Sequence, residues 1–416
     1  MSKIKIIVIS VVILLLAGCV ATAIAYPFFG RTSPPDIGQQ DPGTNDPTDP
    51  GTTDPDPDPD PDPDPEPDPE PEPWVARPEH VRGLYLTGWG AGNNSLRTHV
   101  LDLIRDTDLN SVVVNVKDDE GYITYRDTQV QLAIEAEANI NQVNMEELLE
   151  ELRQDEIYPI ARIVVAKDKF ISKVKPEWFF QEKNGGIWNG KGPVPWADLR
   201  NEDYWDYLVE IAIEAVEMGF MEIQFDYVRW PSGGDGSISR IADLPASNMT
   251  SEGPYERSEI IASFLAYAKE QLEPYNVEVS ADTFGIMGTV KNEQSIGQHL
   301  ETLLEGEPDI ICPMIYPSHY WEGTYGQSNP NRAPYEVAYQ SVADHVERME
   351  AMGSETILRP WLQDFKHWDD PSYEYGPEQI QAQIRALEEQ GIHEFLFWNA
   401  GNRYTEGGYR NWKPQQ

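Results

Sequence analysis

Met221-Glu222-Ile223-Gln224-Phe225-Asp226-Tyr227-Val228, running on into Arg229-Trp230-Pro231, is a short apolar and aromatic run with a carboxylate near its end. Such a run has the composition of a β-strand. Just before it, Tyr204–Met218 carries a helical pattern that stops at Gly219, the residue type that most readily closes a helix in the left-handed conformation. A helix feeding a strand is one half of a repeating unit, and the unit recurs on both sides. Strands are expected at Arg82–Trp89, Ser111–Asp118, Tyr158–Val165, Met221–Val228, Asn276–Phe284, Asp309–Ser318, Thr356–Phe365 and Glu394–Ala400. Helical patterns fall between them, for example Met145–Arg153, Glu256–Leu272, Glu336–Met352 and Pro377–Glu389, with Gly353 and Gly391 as further stop signals.

Strands that alternate with helices imply a parallel sheet in an α/β protein. Eight such units in residues 74–416 fit a (β/α)8 TIM barrel, which takes about 250 residues plus insertions. An open doubly wound sheet is the competing architecture, and it usually carries a Gly-rich phosphate turn after its first strand. Here that turn is Thr87-Gly88-Trp89-Gly90-Ala91-Gly92, which departs from the dinucleotide fingerprint. Nucleotide binding is not expected.

The two ends of the chain differ sharply in composition. Residues 32–73 hold no aromatic residue, and Asp-Pro alternation from Asp54 passes into Glu-Pro before Pro73. Proline at every second position favours extended polyproline II, about 3.1 Å per residue, so this linker reaches roughly 130 Å when fully stretched. Residues 1–31 read as an export and anchoring segment, with Lys3 and Lys5 ahead of an apolar run from Ile6. Three readings stay open. Leu16-Ala17-Gly18-Cys19 resembles a bacterial lipobox with Cys19 as the lipidated residue; the apolar run is long enough to span a bilayer; and Ala23-Ile24-Ala25 fits a cleavage site. All three place residues 74–416 outside the cytoplasm, and the first two tether them to the membrane by the N-terminus.

Charge and cysteine count exclude several functions. With 71 acidic and 31 basic residues the formal net charge is −40, which opposes phosphate-backbone binding to DNA or RNA. Two cysteines, Cys19 and Cys312, exclude a disulfide framework and a cysteine-based zinc site. The seven histidines form no His-x-x-x-His pair, so no metal site is expected, and no Gly-x-Ser-x-Gly elbow marks a serine esterase. No cofactor is expected.

In a TIM barrel the chemistry sits at the C-terminal ends of the strands. Asp226 ends the fourth strand, and period-two alternation points it the same way as Gln224, into the barrel. Asp282 holds the equivalent place on the fifth strand above Ser280. Neighbouring strands lie about 4.8 Å apart, so the two carboxylates can face each other, as hydrolysis of a glycosidic bond requires. The competing role for Asp226 is a structural partner of Arg162 or Arg229. Further candidates for substrate binding are Lys117, Asp118, Arg162, Arg229, Tyr316, His319, Trp361, Gln363, Trp398 and Asn399, all at or just beyond strand ends. Charge compensation inside the barrel is the alternative for Lys117 and Arg162, a solvated acidic turn for Asp118, and a plain hydrogen-bonding role for His319. Aromatics crowd the loops after strands three and six, from Phe170, Trp178, Phe179, Phe180, Trp188 and Trp196 to Tyr320, Trp321 and Tyr325. Flat rings with polar edges suit sugar rings; Trp178 and Phe179 are expected instead to pack their own loop down.

Four motifs carry a family resemblance: Asn115-Val116-Lys117-Asp118, Phe225-Asp226-Tyr227-Val228-Arg229-Trp230-Pro231, Ala281-Asp282-Thr283-Phe284-Gly285 and Pro313-Met314-Ile315-Tyr316-Pro317-Ser318. From Arg82 to Asn399 the chain resembles the bacterial family known as "putative glycosyl hydrolase domain", which is similar to α-amylase-type barrels. The resemblance implies an Asp nucleophile ending strand four, matched by Asp226, and a Glu acid/base ending strand five. Asp282 stands there instead, one methylene shorter. It also implies a polysaccharide or oligosaccharide substrate, α-linked by the nearer likeness. A non-catalytic carbohydrate-binding barrel and a structural envelope protein are the alternatives.

Overall fold

The computed structural model describes residues 74–414, apart from 191, 233–236 and 294. The anchor, the Asp-Pro linker and Cys19 lie outside the described residues. No described helix is long and apolar enough to cross a membrane.

Nine strand segments close into one parallel barrel of eight positions. They are β1 (Arg82–Leu86), β2 (Ser111–Lys117), β3 (Tyr158–Val164), β4 (Glu222–Asp226), β5 (Glu278–Phe284), β6 (Ile310–Ile315), β7 (Ile357–Leu358), β8 (Trp361–Gln363) and β9 (Phe395–Trp398). Each pairs with the next in the ring; β5 meets β6, and β9 returns to β1. Closure removes every sheet edge. The expected seventh strand is split in two, and both parts pair with β6. The cause is local: between the paired stretches, Arg359-Pro360 lies opposite Cys312-Pro313, and prolines on both sides remove ladder donors. The Arg359 amide still donates to the Ile311 carbonyl at 3.0 Å.

Helices wrap the outside. Glu202–Met218 starts at Asn201, whose side chain accepts from the Tyr204 amide at 3.3 Å, with Glu202 and Asp203 suited to the positive end of the helix dipole. Tyr204, Leu208, Ile211, Ala212 and Ala215 form its buried stripe, and Gly219 (φ 118°) closes it. Pro334–Met352 ends the same way at Gly353 (φ 65°). The expected Gly-rich turn after β1 is a short helix, Gly88–Gly92, capped by Thr87. A side chain at Gly92 would come within 1.9 Å of the Gln142 carbonyl, so close backbone approach accounts for that glycine.

Inside the barrel the core mixes apolar and ionic layers. Tyr85, Val113, Tyr158, Ile160, Ile310, Cys312, Tyr316, Trp361 and Leu396 pack together there. At the closed end Arg77 bridges Glu278 at 2.7 Å and Glu394 at 2.9 Å. One layer up, the fully buried Arg359 pairs with fully buried Glu222, which also accepts from Ser280 Oγ at 2.5 Å. Above them Gln224 Nε2 approaches Cys312 Sγ at 3.4 Å. Asp226 and Asp282 occupy the open end.

Candidate active site

The mouth is built from one residue or two per strand. The β3–β4 register sets Arg162 beside Gln224, so its side chain rises to the next layer and meets Asp226. Arg162 Nε donates to Asp226 Oδ2 at 2.9 Å, and Nη2 donates to the same oxygen. Nη1 donates to Asn115 Oδ1 at 2.8 Å. Burial raises the Tyr85 hydroxyl pKa, and Arg162 and Asn115 beside it oppose the rise. The other Asp226 oxygen accepts from the Tyr227 amide, and Tyr227 is held at φ 56°, an uncommon conformation for a bulky residue. Tyr85 and Trp398 stack with centroids 3.9 Å apart, and the Arg162 guanidinium lies 5.6 Å and 5.3 Å from their rings.

Asp282 has a different environment. Trp361 Nε1 donates to its Oδ1 at 2.6 Å, and the side chain is otherwise buried without an ion pair among the described residues. Burial pushes its carboxyl well above the usual range, and the negative charge of Asp226 pushes it further; Arg162 and the Trp361 hydrogen bond oppose this without cancelling it. For Arg162 burial works against the charge, but Asp226 and Asp282 outweigh it and hold the guanidinium above its ordinary value. One carboxylate is thus paired with a cation, and the other sits in a site that favours its neutral form. Such a divergence separates a nucleophile or base from an acid.

Asp226, Asp282, Arg162, Tyr316, Trp361 and Trp398 are brought together at this mouth. Tyr316 is placed by its packing on Phe365 at 5.6 Å, and both carboxylates raise its hydroxyl pKa on top of burial. Four of the other residues expected to touch substrate, Lys117, Asp118, Gln363 and Asn399, have partners within the protein. Lys117 is fully buried: its ammonium donates to the carbonyls of Val164 at 2.8 Å and Lys167 at 2.9 Å and pairs with Asp168 at 3.1 Å. A register shift between Asn115 and Lys117 turns it out of the mouth, so it fastens the loop after β3 rather than holding a hydroxyl. Asp118 closes a turn, accepting from the amides of Glu120 and Tyr122 at 2.9 Å each. Gln363 ties loops together, accepting from the Ser318 amide and donating to the Phe365 carbonyl. Asn399 shapes the turn after β9, donating to the Arg403 carbonyl and accepting from the Gly401 amide. His319 stands exposed on the rim, 3.0 Å from Ser318 Oγ. Arg229 lies on the rim among aromatic rings and is not the partner of Asp226. Trp178 and Phe179 pack on Tyr204 as loop core.

Tyr85 and Asn115 were not singled out as site residues, although Asn115 carried a signal. It is a polar residue near the C-terminal end of a valine-rich strand, in phase with Val113, the same pattern that picks out Asp226. Among the described residues no group of His, Cys, Asp or Glu is arranged to hold a metal ion.

Residues 83–404 match the model of the family described as "putative glycosyl hydrolase domain". The chain belongs to that family. Its glycosyl hydrolase domain spans all nine strands except the first residue of β1, so the whole barrel mouth lies within it. Among solved structures, a hypothetical protein from Ruminiclostridium thermocellum is 39% identical over a match covering 48% of this chain and 96% of that one, with a TM-score of 0.41. The PgaB (BpsB) glycoside hydrolase domain from Bordetella bronchiseptica is 13% identical, covers 80% of this chain and 98% of that one, and has a TM-score of 0.56. That likeness is one of fold. No curated protein matches the chain.

Proposed function

We propose that the protein is an exported, membrane-tethered glycoside hydrolase that cleaves a polysaccharide. The observation that carries the proposal is the Asp226–Arg162–Asp282 arrangement at the barrel mouth, where one carboxylate is ion-paired and the other dehydrated. Family membership supports the reaction class, and the basic-then-apolar N-terminus supports export and tethering.

Asp282 delivers its proton to the glycosidic oxygen as the bond to the anomeric carbon breaks. Asp226 supplies negative charge to that carbon, by bond formation or by stabilising the oxocarbenium-like state. Water then adds to the carbon and gives up a proton to the Asp282 carboxylate. Arg162 and Asn115 fix the position of Asp226, while Tyr85, Trp398 and Tyr316 line the sugar site. The full chain incubated with a polysaccharide panel, α-glucans first, is expected to release reducing ends. No release from any polymer, under conditions where the protein is folded, removes the hydrolase reading.

The pH dependence has a definite sign. An acid with a raised pKa stays protonated to higher pH, so kcat/KM falls on the alkaline side as Asp282 ionises. The same shift couples to folding. The native state holds this proton more tightly than the unfolded chain, so the contribution to stability is full below 3.8 and is lost as pH rises through the native value. Asp282→Asn keeps an acceptor for Trp361 and removes the ionisation. It is expected to lower kcat/KM by about 10²- to 10⁴-fold, abolish the alkaline limb, and leave the melting temperature at neutral pH equal or higher. Unchanged turnover in this variant would assign the acid elsewhere.

A further inference from the structure

The loop after β4 carries a cation that the protein itself leaves largely unanswered. Arg229 is 8% exposed. Its guanidinium is wedged between three rings, 4.6 Å from Trp196, 5.1 Å from Tyr227 and 5.4 Å from Phe284. Its side chain makes one hydrogen bond among the described residues, from Nη1 to the Trp230 carbonyl at 3.3 Å, and no ion pair. An arginine has five N–H donors, so most of its fork is unmatched. Other buried arginines are answered more fully: Arg257 makes no ion pair among the described residues but donates to the carbonyls of Pro245 and Ser295. Arg162, Arg359 and Arg348 each meet a carboxylate, Asp226, Glu222 and Glu301 respectively. A buried charge without an ion pair is destabilising, and burial lowers the affinity of this guanidinium for its proton more than the charge of Asp226 restores it.

The position of Arg229 connects it to the reaction. The left-handed turn at Tyr227 folds the chain back, with the Arg229 amide donating to the Tyr227 carbonyl at 2.8 Å. Phe284 stands two residues after Asp282 on the same inward face of β5. The guanidinium therefore borders the mouth at the β4–β5 side, where the charge of Asp226 reaches it without an ion pair. A hydroxyl would use one of its donors; a carboxylate or sulfate oxyanion would use two and supply the missing charge. We infer that Arg229 forms a subsite for an anionic sugar, so that the substrate is an acidic polysaccharide carrying carboxylate or sulfate groups next to the bond that is cut. This deepens the hydrolase reading and rests on it for the word substrate, but not for binding.

The test is affinity electrophoresis of the full chain at about 0.15 M salt, where charges more than about 8 Å apart are largely screened. Gels contain polygalacturonate, its carboxyl-reduced neutral form, dextran sulfate or dextran. Wild type is expected to be retarded by an acidic polymer at least about 10-fold more tightly than by its neutral counterpart. Arg229→Gln is expected to lose about 10- to 100-fold on the acidic polymer with little change on the neutral one, and Arg229→Lys to fall between. If Arg229→Gln does not fold, Arg229→Lys against wild type decides, since it keeps the charge and loses the fork. Retention by polygalacturonate or by dextran sulfate identifies the oxyanion. Equal retention on acidic and neutral polymers, retention on neutral ones alone, no retention on either acidic polymer, or insensitivity to both substitutions overturns the inference. Hydrolysis is scored separately by reducing ends. Acidic-polymer binding with no release from any polymer removes the hydrolase reading and leaves the subsite standing, while release from neutral polymers without acidic-polymer binding does the reverse.

Discussion

Asp226→Asn is expected to reduce hydrolysis by about 10³-fold or more while the protein stays folded. The amide keeps an oxygen to accept from Arg162, while its nitrogen replaces the oxygen that accepts from the Tyr227 amide, so the variant loses the charge and that one hydrogen bond. In the proposed reaction, what disappears is the negative charge that stabilises the anomeric carbon. Reducing-end release, with circular dichroism as a control for folding, makes the comparison. Turnover within about 10-fold of wild type would assign Asp226 to a purely structural pairing with Arg162. Product stereochemistry by NMR on the wild type then reports whether a covalent intermediate forms, because retention requires one and inversion does not.

The largest effect on stability is expected from Arg359→Met. The side chain is fully buried, and its Nη1 donates to Glu222 Oε2 at 2.9 Å across the barrel. Removing one partner of a buried pair leaves the other charge stranded, which costs about 3–5 kcal/mol. Glu222 would keep the Ser280 hydroxyl alone. Urea unfolding should show a midpoint shift of that size. The double replacement Glu222→Leu with Arg359→Met should recover much of the loss, since an apolar pair of similar volume often matches a buried ion pair. A single-variant loss below about 1 kcal/mol would mean that water reaches Glu222.

The barrel was legible because its signals are local and repeated. Gly219 and Gly353 stop helices where their sequence positions indicate, and Glu256–Leu272 has the expected bounds. The strands were overestimated by one to three residues at their ends, where the chain leaves the ladder but stays apolar, as at Tyr227-Val228. The break in the seventh strand was written in Pro360, yet the partner proline at 313 matters only once the two strands are set side by side. Within the candidate site, Asp226 and Asp282 stand out because a carboxylate in an apolar strand is costly without a reason. Lys117 looked equivalent to Arg162 from strand position alone. The shift in register after Asn115, invisible in one strand, separates them. Gln363 and Asn399 sit at strand ends but face neighbouring loops, and period-two counting fails there because strands of three and four residues give it little to count.

The paired prolines of β6 and β8 have a consequence for how the molecule comes apart. A closed hoop has no end from which to fray, so any partial opening must start at a joint. Pro313 and Pro360 make one such joint, since two ladder donors are missing side by side there. Trp361 is on one side of it, and Asp282, on β5, is carried by the strand beyond β6. When the joint yields, Asp282 loses its indole donor and its burial, whereas Asp226 and Arg162 on the opposite wall remain together. Warming should therefore silence the enzyme at a temperature where its helices are still intact.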